Sequence, residues 1–185
     1  MNKKYVPCII CLIFLLVGIL FLFPTKRNNP QNEVIIQMNT LLECSEYHAH
    51  QNLIWDMSPD EVSKIISIQK DDYRISESYV AYNSESECIM NGRTGQLSFE
   101  FADNQLNLIQ FYFQTDDCVE TWFEEQIAQL RGIYGNEKES RNISNELLDG
   151  ENYRWDFDDT SLQFAKMTTN KNGSVTLVLS IGKLK

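Results

Sequence analysis

Residues 96–114 read Gln-Leu-Ser-Phe-Glu-Phe-Ala-Asp-Asn-Gln-Leu-Asn-Leu-Ile-Gln-Phe-Tyr-Phe-Gln. Leu97, Phe99 and Phe101 alternate with smaller or polar side chains, the two-residue period of a strand with one buried face. Asp103 and Asn104 tolerate the left-handed backbone of a tight turn, after which the chain returns from Leu106 to Gln114. In the return strand Leu106 and Leu108 share one face, whereas Ile109, Phe111 and Phe113 share the other. Either that strand is covered on both faces or a bulge shifts its register near Leu108. An antiparallel sheet is therefore the framework.

Downstream, Asp117 and Glu120 mark a helix start. Val119, Trp122, Phe123, Ile127, Leu130 and Tyr134 follow at three- and four-residue steps up to Gly135. Asn136 to Gly150 is polar and reads as a loop. Three strands then close the chain, from Tyr153 to Phe157, Leu162 to Met167 and Val175 to Ile181, the last two joined by Asn170-Lys171-Asn172-Gly173. Upstream, Tyr73 to Tyr82 is rich in β-formers, and Cys88 to Met90 makes a short strand before a turn from Asn91 to Gly95. Ser58-Pro59-Asp60-Glu61 is a capping box with proline at the first helical position. Met57 and Val62 suit a hydrophobic staple, and Ile65 and Ile66 extend the inward stripe, which predicts a helix from Pro59 to about Ser67. Between Glu33 and Glu46, Val34, Ile35, Met38, Leu41 and Leu42 fall at helical spacing.

Tyr5 to Phe23 is a 19-residue run without a charge, introduced by Lys3 and Lys4 and followed by Pro24, Thr25, Lys26 and Arg27. Such a helix is about 28 Å long, close to the roughly 30 Å of a bilayer's hydrocarbon. A cleaved signal has a shorter apolar core and a small-x-small site, and this run ends Leu20-Phe21-Leu22-Phe23-Pro24. A lipidated cysteine would need a small residue before it, but Pro7 precedes Cys8 and Ile10 precedes Cys11, so both read as apolar side chains. The expected organisation is a single-pass membrane anchor with its flanks at 1–27, a polar tether at 28–32 and one extracytoplasmic domain at 33–185. The expected fold class is α+β, an N-terminal transmembrane helix followed by helices packed on one face of an antiparallel β-sheet.

Lys3 and Lys4 are the only charged side chains before Pro24. Of 16 Lys and Arg and 26 Asp and Glu, 14 basic and all 26 acidic side chains thus belong to the remainder, a formal net charge of −12. That balance excludes a non-specific nucleic-acid binder and opposes docking on an anionic lipid surface. Hydrophobic residues at 43% are enough for a packed core.

Asp156-Phe157-Asp158-Asp159-Thr160 resembles the nucleophile loop of haloacid-dehalogenase-type phosphatases, and its first four residues resemble the acid motif of class II terpene cyclases. Both need a different context: a parallel α/β fold for the first, a large helical cavity for the second. The string reads instead as a tight turn whose carboxylates are solvated, with a weak calcium contact as the other option. His48-Ala49-His50 has metal-ligand spacing, with Cys44 and Glu46 nearby, but a zinc site needs a third or fourth ligand. Cys44, Cys88 and Cys118 are an odd set, open either to one disulfide and a free thiol or to three free thiols. No nucleophile elbow or glycine-rich phosphate loop occurs. No catalytic, cofactor-binding or metal residue is assigned, and binding residues are left open.

Ile54-Trp55-Asp56-Met57-Ser58-Pro59-Asp60-Glu61-Val62 resembles the Trp-Gly-Met-Ser-x-x-Glu-Val helix start of small exported bacterial proteins. These are the β-lactamase-inhibitor-protein-like domains and the outer-membrane-assembly lipoproteins of the SmpA/OmlA kind. It departs from that pattern at Asp56, where a glycine is usual. The resemblance implies a non-catalytic protein-binding module outside the membrane and transfers no binding residue. The expected function is a membrane-anchored interaction module, attached through Tyr5 to Phe23, with a protein partner and neither nucleic acid nor small-molecule ligand. The alternative is an immunity- or inhibitor-type protein whose acidic surface neutralises a basic toxin or enzyme.

Overall fold

The computed structural model describes residues 34–36, 38, 53–75, 79–113, 115 and 118–184. Nine strands form one sheet: β1 (Val34–Ile36), β2 (Ile68–Ile75), β3 (Tyr79–Met90), β4 (Arg93–Ala102), β5 (Gln105–Phe113), β6 (Glu139–Ser144), β7 (Leu148–Asp156), β8 (Thr160–Thr169) and β9 (Val175–Lys183). Among the described residues two helices accompany them, α1 (Pro59–Val62) and α2 (Val119–Tyr134). The strands lie in the order β1-β3-β4-β5-β9-β8-β7-β6, and β2 pairs with β3 as well. Every pair is antiparallel except β1 with β3. β1 takes the Cys88–Met90 end of β3 and β2 takes its beginning, so one edge of β3 serves two partners.

This mostly-β architecture corrects the expected α+β fold of a transmembrane helix and helices laid on a sheet. The sheet dominates, and among the described residues no helix is long and apolar enough to cross a membrane. The membrane-spanning, single-pass description therefore has no counterpart among these elements. The run from Tyr5 to Phe23 on which it rested lies outside the described residues, as do Cys44, Glu46, His48 and His50.

Two local readings fail for identifiable reasons. Val34–Ile36 is a strand and not the start of a helix. Three successive β-branched residues suit extended backbone, and the edge of β3 offers them hydrogen-bonding partners that the helical spacing ignores. The polar stretch after Gly135 contains β6 and the start of β7. An edge strand needs only backbone pairing with its neighbour, so Glu139-Ser140-Arg141-Asn142 can be charged and still lie in the sheet.

The hairpin from Gln96 to Phe113 forms around Asp103 and Asn104, both at positive φ (51° and 65°). Its ambiguity resolves as a bulge. Phe101 pairs with Leu106 and Glu100 with Leu108, so Asn107 is the extra residue. Leu106 thereby joins Ile109, Phe111 and Phe113 in the core. The turn expected from Asn91 to Gly95 shrinks to Asn91-Gly92, both at positive φ, and Arg93 to Gly95 are already strand.

β9 enters between β5 and β8, near the centre of the sheet. α2 must therefore travel from β5 past β9, β8 and β7 to reach the far edge. Its 16 residues span about 24 Å, and that lateral step is about 19 Å at roughly 4.8 Å per strand. The helix crosses on one face, burying Phe123, Ile127 and Leu130. Phe123 stacks on Phe164 of β8 with ring centroids 4.8 Å apart, and Trp122 meets Phe113 at 5.3 Å and Phe164 at 6.1 Å. Buried Gln126 is satisfied by Asn91 Nδ2 at 2.5 Å, which fastens the β3–β4 turn over the helix. The opposite face of the sheet carries a cross-strand row of polar side chains, Gln163, Ser180, Gln110, Ser98 and Asn83.

Phe164 touches Phe113, Trp122 and Phe123, so no single neighbour can refill its space. Phe164→Ala should cost about 3–5 kcal/mol. Urea unfolding monitored by tryptophan fluorescence measures this. A loss below about 1 kcal/mol would mean that α2 does not depend on this contact.

Candidate functional site

The Asp156–Thr160 string closes β7 onto β8, with Phe157 and Thr160 exchanging backbone hydrogen bonds of 2.8 and 3.3 Å. Asp156 is not a solvated turn carboxylate, which corrects the sequence expectation. Its Oδ2 accepts from Lys138 Nζ at 2.5 Å and its Oδ1 from Arg154 Nε at 2.6 Å. The Lys138 hydrogen bond, opposed by burial and reinforced by Arg154, holds the Asp156 carboxyl below its ordinary range. Asp159 is committed elsewhere. It accepts from Thr160 Oγ1 at 2.7 Å, and Thr160 Oγ1 accepts from the indole Nε1 of Trp55 at 3.1 Å. Asp158 is exposed. The three carboxylates are thus divided between an ion-pair network, a buried indole link and solvent, an arrangement suited to holding a turn.

Because the folded Asp156 carboxyl ionises more readily than an unfolded one, its stabilisation is complete above the unfolded pKa near 3.8. It fades as pH falls through the lowered folded value. Asp156→Asn should therefore lower Tm at pH 7. The gap from the unaltered protein should close as the pH falls below about 4. Melting curves across that range check it, and a variant as stable at pH 7 as the unaltered chain would contradict the ion-pair role.

Among the described residues the carboxylates that converge are Glu120, Glu124 and Glu151, whose oxygens lie within 4.8 Å of one another. A lysine already supplies the positive charge there. Lys166 Nζ bonds Glu120 at 2.5 Å and Glu151 at 2.6 Å and lies 5.1 Å from the Phe123 ring centre. Burial opposes ionisation of Glu151, but its bonds from Lys166 and Tyr153 outweigh this and leave its carboxyl below the usual range. Burial and the Glu151 carboxylate push the Tyr153 hydroxyl up to about 12. The group ties the first turn of α2 to β7 and β8.

Of the cysteines, Cys88 and Cys118 fall among the described residues. Cys88 is buried and its thiol is pushed up to about 12, far from the thiolate a nucleophile needs. Cys118 is exposed at the N-cap of α2, the position next to Asp117, which lies outside the described residues.

The capping box forms as the sequence predicts. Ser58 N donates to Glu61 Oε2 at 2.8 Å and Ser58 Oγ accepts from Glu61 N at 3.4 Å. The helix it starts is short, ending at Val62 rather than near Ser67. Lys64 N and Ile65 N donate to carbonyls three residues back, at Glu61 and Val62, so the chain tightens into turns before β2 begins at Ile68. Asp56 has φ of +71°, the region that favours glycine, and its carboxylate accepts from Lys183 at 2.5 Å. Ser58→Ala should cost on the order of 1 kcal/mol in chemical unfolding. Partner affinity measured well below Tm should not change, and a large affinity loss at constant Tm would move a binding surface to this end.

The remaining feature was not legible as a site in the sequence. Between Asn83, which pairs with Ser98, and Glu87, which pairs with Gln96, β3 advances four residues against two on β4. This wide bulge fills the gap between the partners β2 and β1. It is locked internally: Glu85 N donates to Ser67 O at 3.0 Å and Ser86 N to Ser84 Oγ at 3.0 Å, while Glu85 Oε2 accepts from Ser67 Oγ at 2.7 Å. Beside it is a cavity of about 380 Å³, bounded by residues 84–87 on one side and by Gly95, Gln96, Tyr112 and Phe113 on the other. A Cβ at Gly95 would lie 2.5 Å from the Tyr112 carbonyl oxygen, so only glycine lets β4 approach β5 this closely. The available signal was the polar run Ser84-Glu85-Ser86-Glu87 interrupting two β-rich stretches. No family model, curated protein or solved structure matches this chain.

Proposed function

We propose that this chain is a non-catalytic protein-binding module that works outside the cytoplasm and that its partner is basic. The observation that carries the reading is the acid excess of residues 24–185, 26 carboxylates against 14 basic side chains, much of it facing solvent. Asp60, Glu85, Glu87, Glu124, Glu125, Glu146, Asp149 and Asp158 are all exposed. Such a surface accelerates encounter with a cationic protein and disfavours anionic competitors. The immunity- or inhibitor-type alternative is the special case in which that partner is a toxin or enzyme, and a toxin gene beside this one would favour it. Catalysis by Asp156 and Asp158 gains no support, since Asp156 is held by two cations.

Crosslinking in intact cells, followed by capture of the full-length tagged chain, tests the proposal. The captured protein should be basic, and its affinity should fall steeply between about 0.05 and 0.5 M salt as the Debye length shortens. An acidic partner, or one indifferent to salt, would contradict it. Protease added to intact cells should digest the domain, and protection would place it on the cytoplasmic side.

A further inference from the structure

We infer that the cavity beside the β3 bulge receives a guanidinium group, presented as an arginine side chain by the basic partner; the inference rests on the function proposed above. A volume of about 380 Å³ lies within the range of small-group binding sites, roughly 300–1,000 Å³. Its chemistry is one-sided. Glu85 and Glu87 are the lining carboxylates, Ser84, Ser86, Gln96 and Tyr112 add neutral oxygens, and no lysine or arginine is among the lining residues described.

The partner of Glu85 bears on this. Asp56, Glu137, Glu151 and Asp156 each meet a lysine or arginine of the same chain. Glu85 is oriented instead by a neutral hydroxyl, that of Ser67. One accepted hydrogen bond leaves a carboxylate with further acceptor sites. A planar guanidinium can use two of them at once and lay its face on an aromatic ring such as Tyr112, which a compact ammonium cannot do. The bulge is already locked by its own bonds to Ser67 and Ser84, so little ordering opposes binding. Glycine at position 95 keeps this wall bare, since a side chain there would collide with β5.

The test is a titration of the ¹⁵N-labelled full chain with three probes: acetyl-Gly-Arg-Gly-amide, its citrulline analogue, which keeps the shape without the charge, and methylguanidine. The arginine peptide should give saturable shifts centred on the amides of residues 84–87, Gly95 and Gln96. Citrulline should bind at least tenfold more weakly. Glu85→Gln, which keeps an acceptor for Ser67, and Glu87→Gln should each weaken the arginine peptide severalfold without moving resonances elsewhere. Equal binding of citrulline would overturn the inference. Methylguanidine binding as tightly as the peptide would overturn a protein as the source of the group. Shifts elsewhere on the acidic surface would overturn the cavity while leaving the basic-partner reading intact. Cavity binding by arginine, with only salt-indifferent partners captured in cells, would instead sink that reading and keep the site.

Discussion

The pairing of β5 with β9, six registered residue pairs from Leu108↔Gly182 to Phe113↔Leu177, is the constraint on which the rest of the molecule depends. It joins two antiparallel runs, β3-β4-β5 and β9-β8-β7-β6, into one sheet. It also obliges the chain to leave β5 and resume at the opposite edge, because the position beside β5 is reserved for the last strand. α2 is the bridge that makes this possible. Its aromatic contacts with Phe113 and Phe164 fall on strands either side of β9, so the helix clamps the junction it crosses. Non-local pairing of this kind is slow to form, since a long loop must close before any contact is gained.

With the core on one face, the domain's charges divide into two populations. Some carboxylates are consumed in holding elements together: Asp156 fixes β7 to the segment before β6 through Lys138, Glu151 and Glu120 grip Lys166, and Glu137 pairs with Arg131 at the end of α2. Others face solvent. Glu85 belongs to neither group fully, being exposed yet oriented by Ser67 beside a formed cavity. Oriented charge next to a concave surface can add geometric selectivity to electrostatic attraction, whereas scattered surface charge supplies attraction alone.

The features legible from residue order alone are those that near neighbours settle among themselves. The tight turn at Asp103-Asn104 follows from two residues that accept positive φ, the box at Ser58 and Glu61 from side chains three positions apart, and α2 from a stripe whose members all lie on one helical face. Even the bulge near Leu108 was announced by a break in alternation. Tertiary structure decided the rest, because the deciding partners are distant in sequence. Val34–Ile36 became a strand through the free edge of β3 more than fifty residues later. Glu139–Ser144 became one because β7 needed a neighbour, which no side-chain pattern records. Asp156 exchanged a solvated turn for an ion-pair network once pairing brought Arg154 and Lys138 beside it. The cavity arises where the bulge of β3 meets β4 and β5, and a sequence lists residues without saying which strands lie side by side.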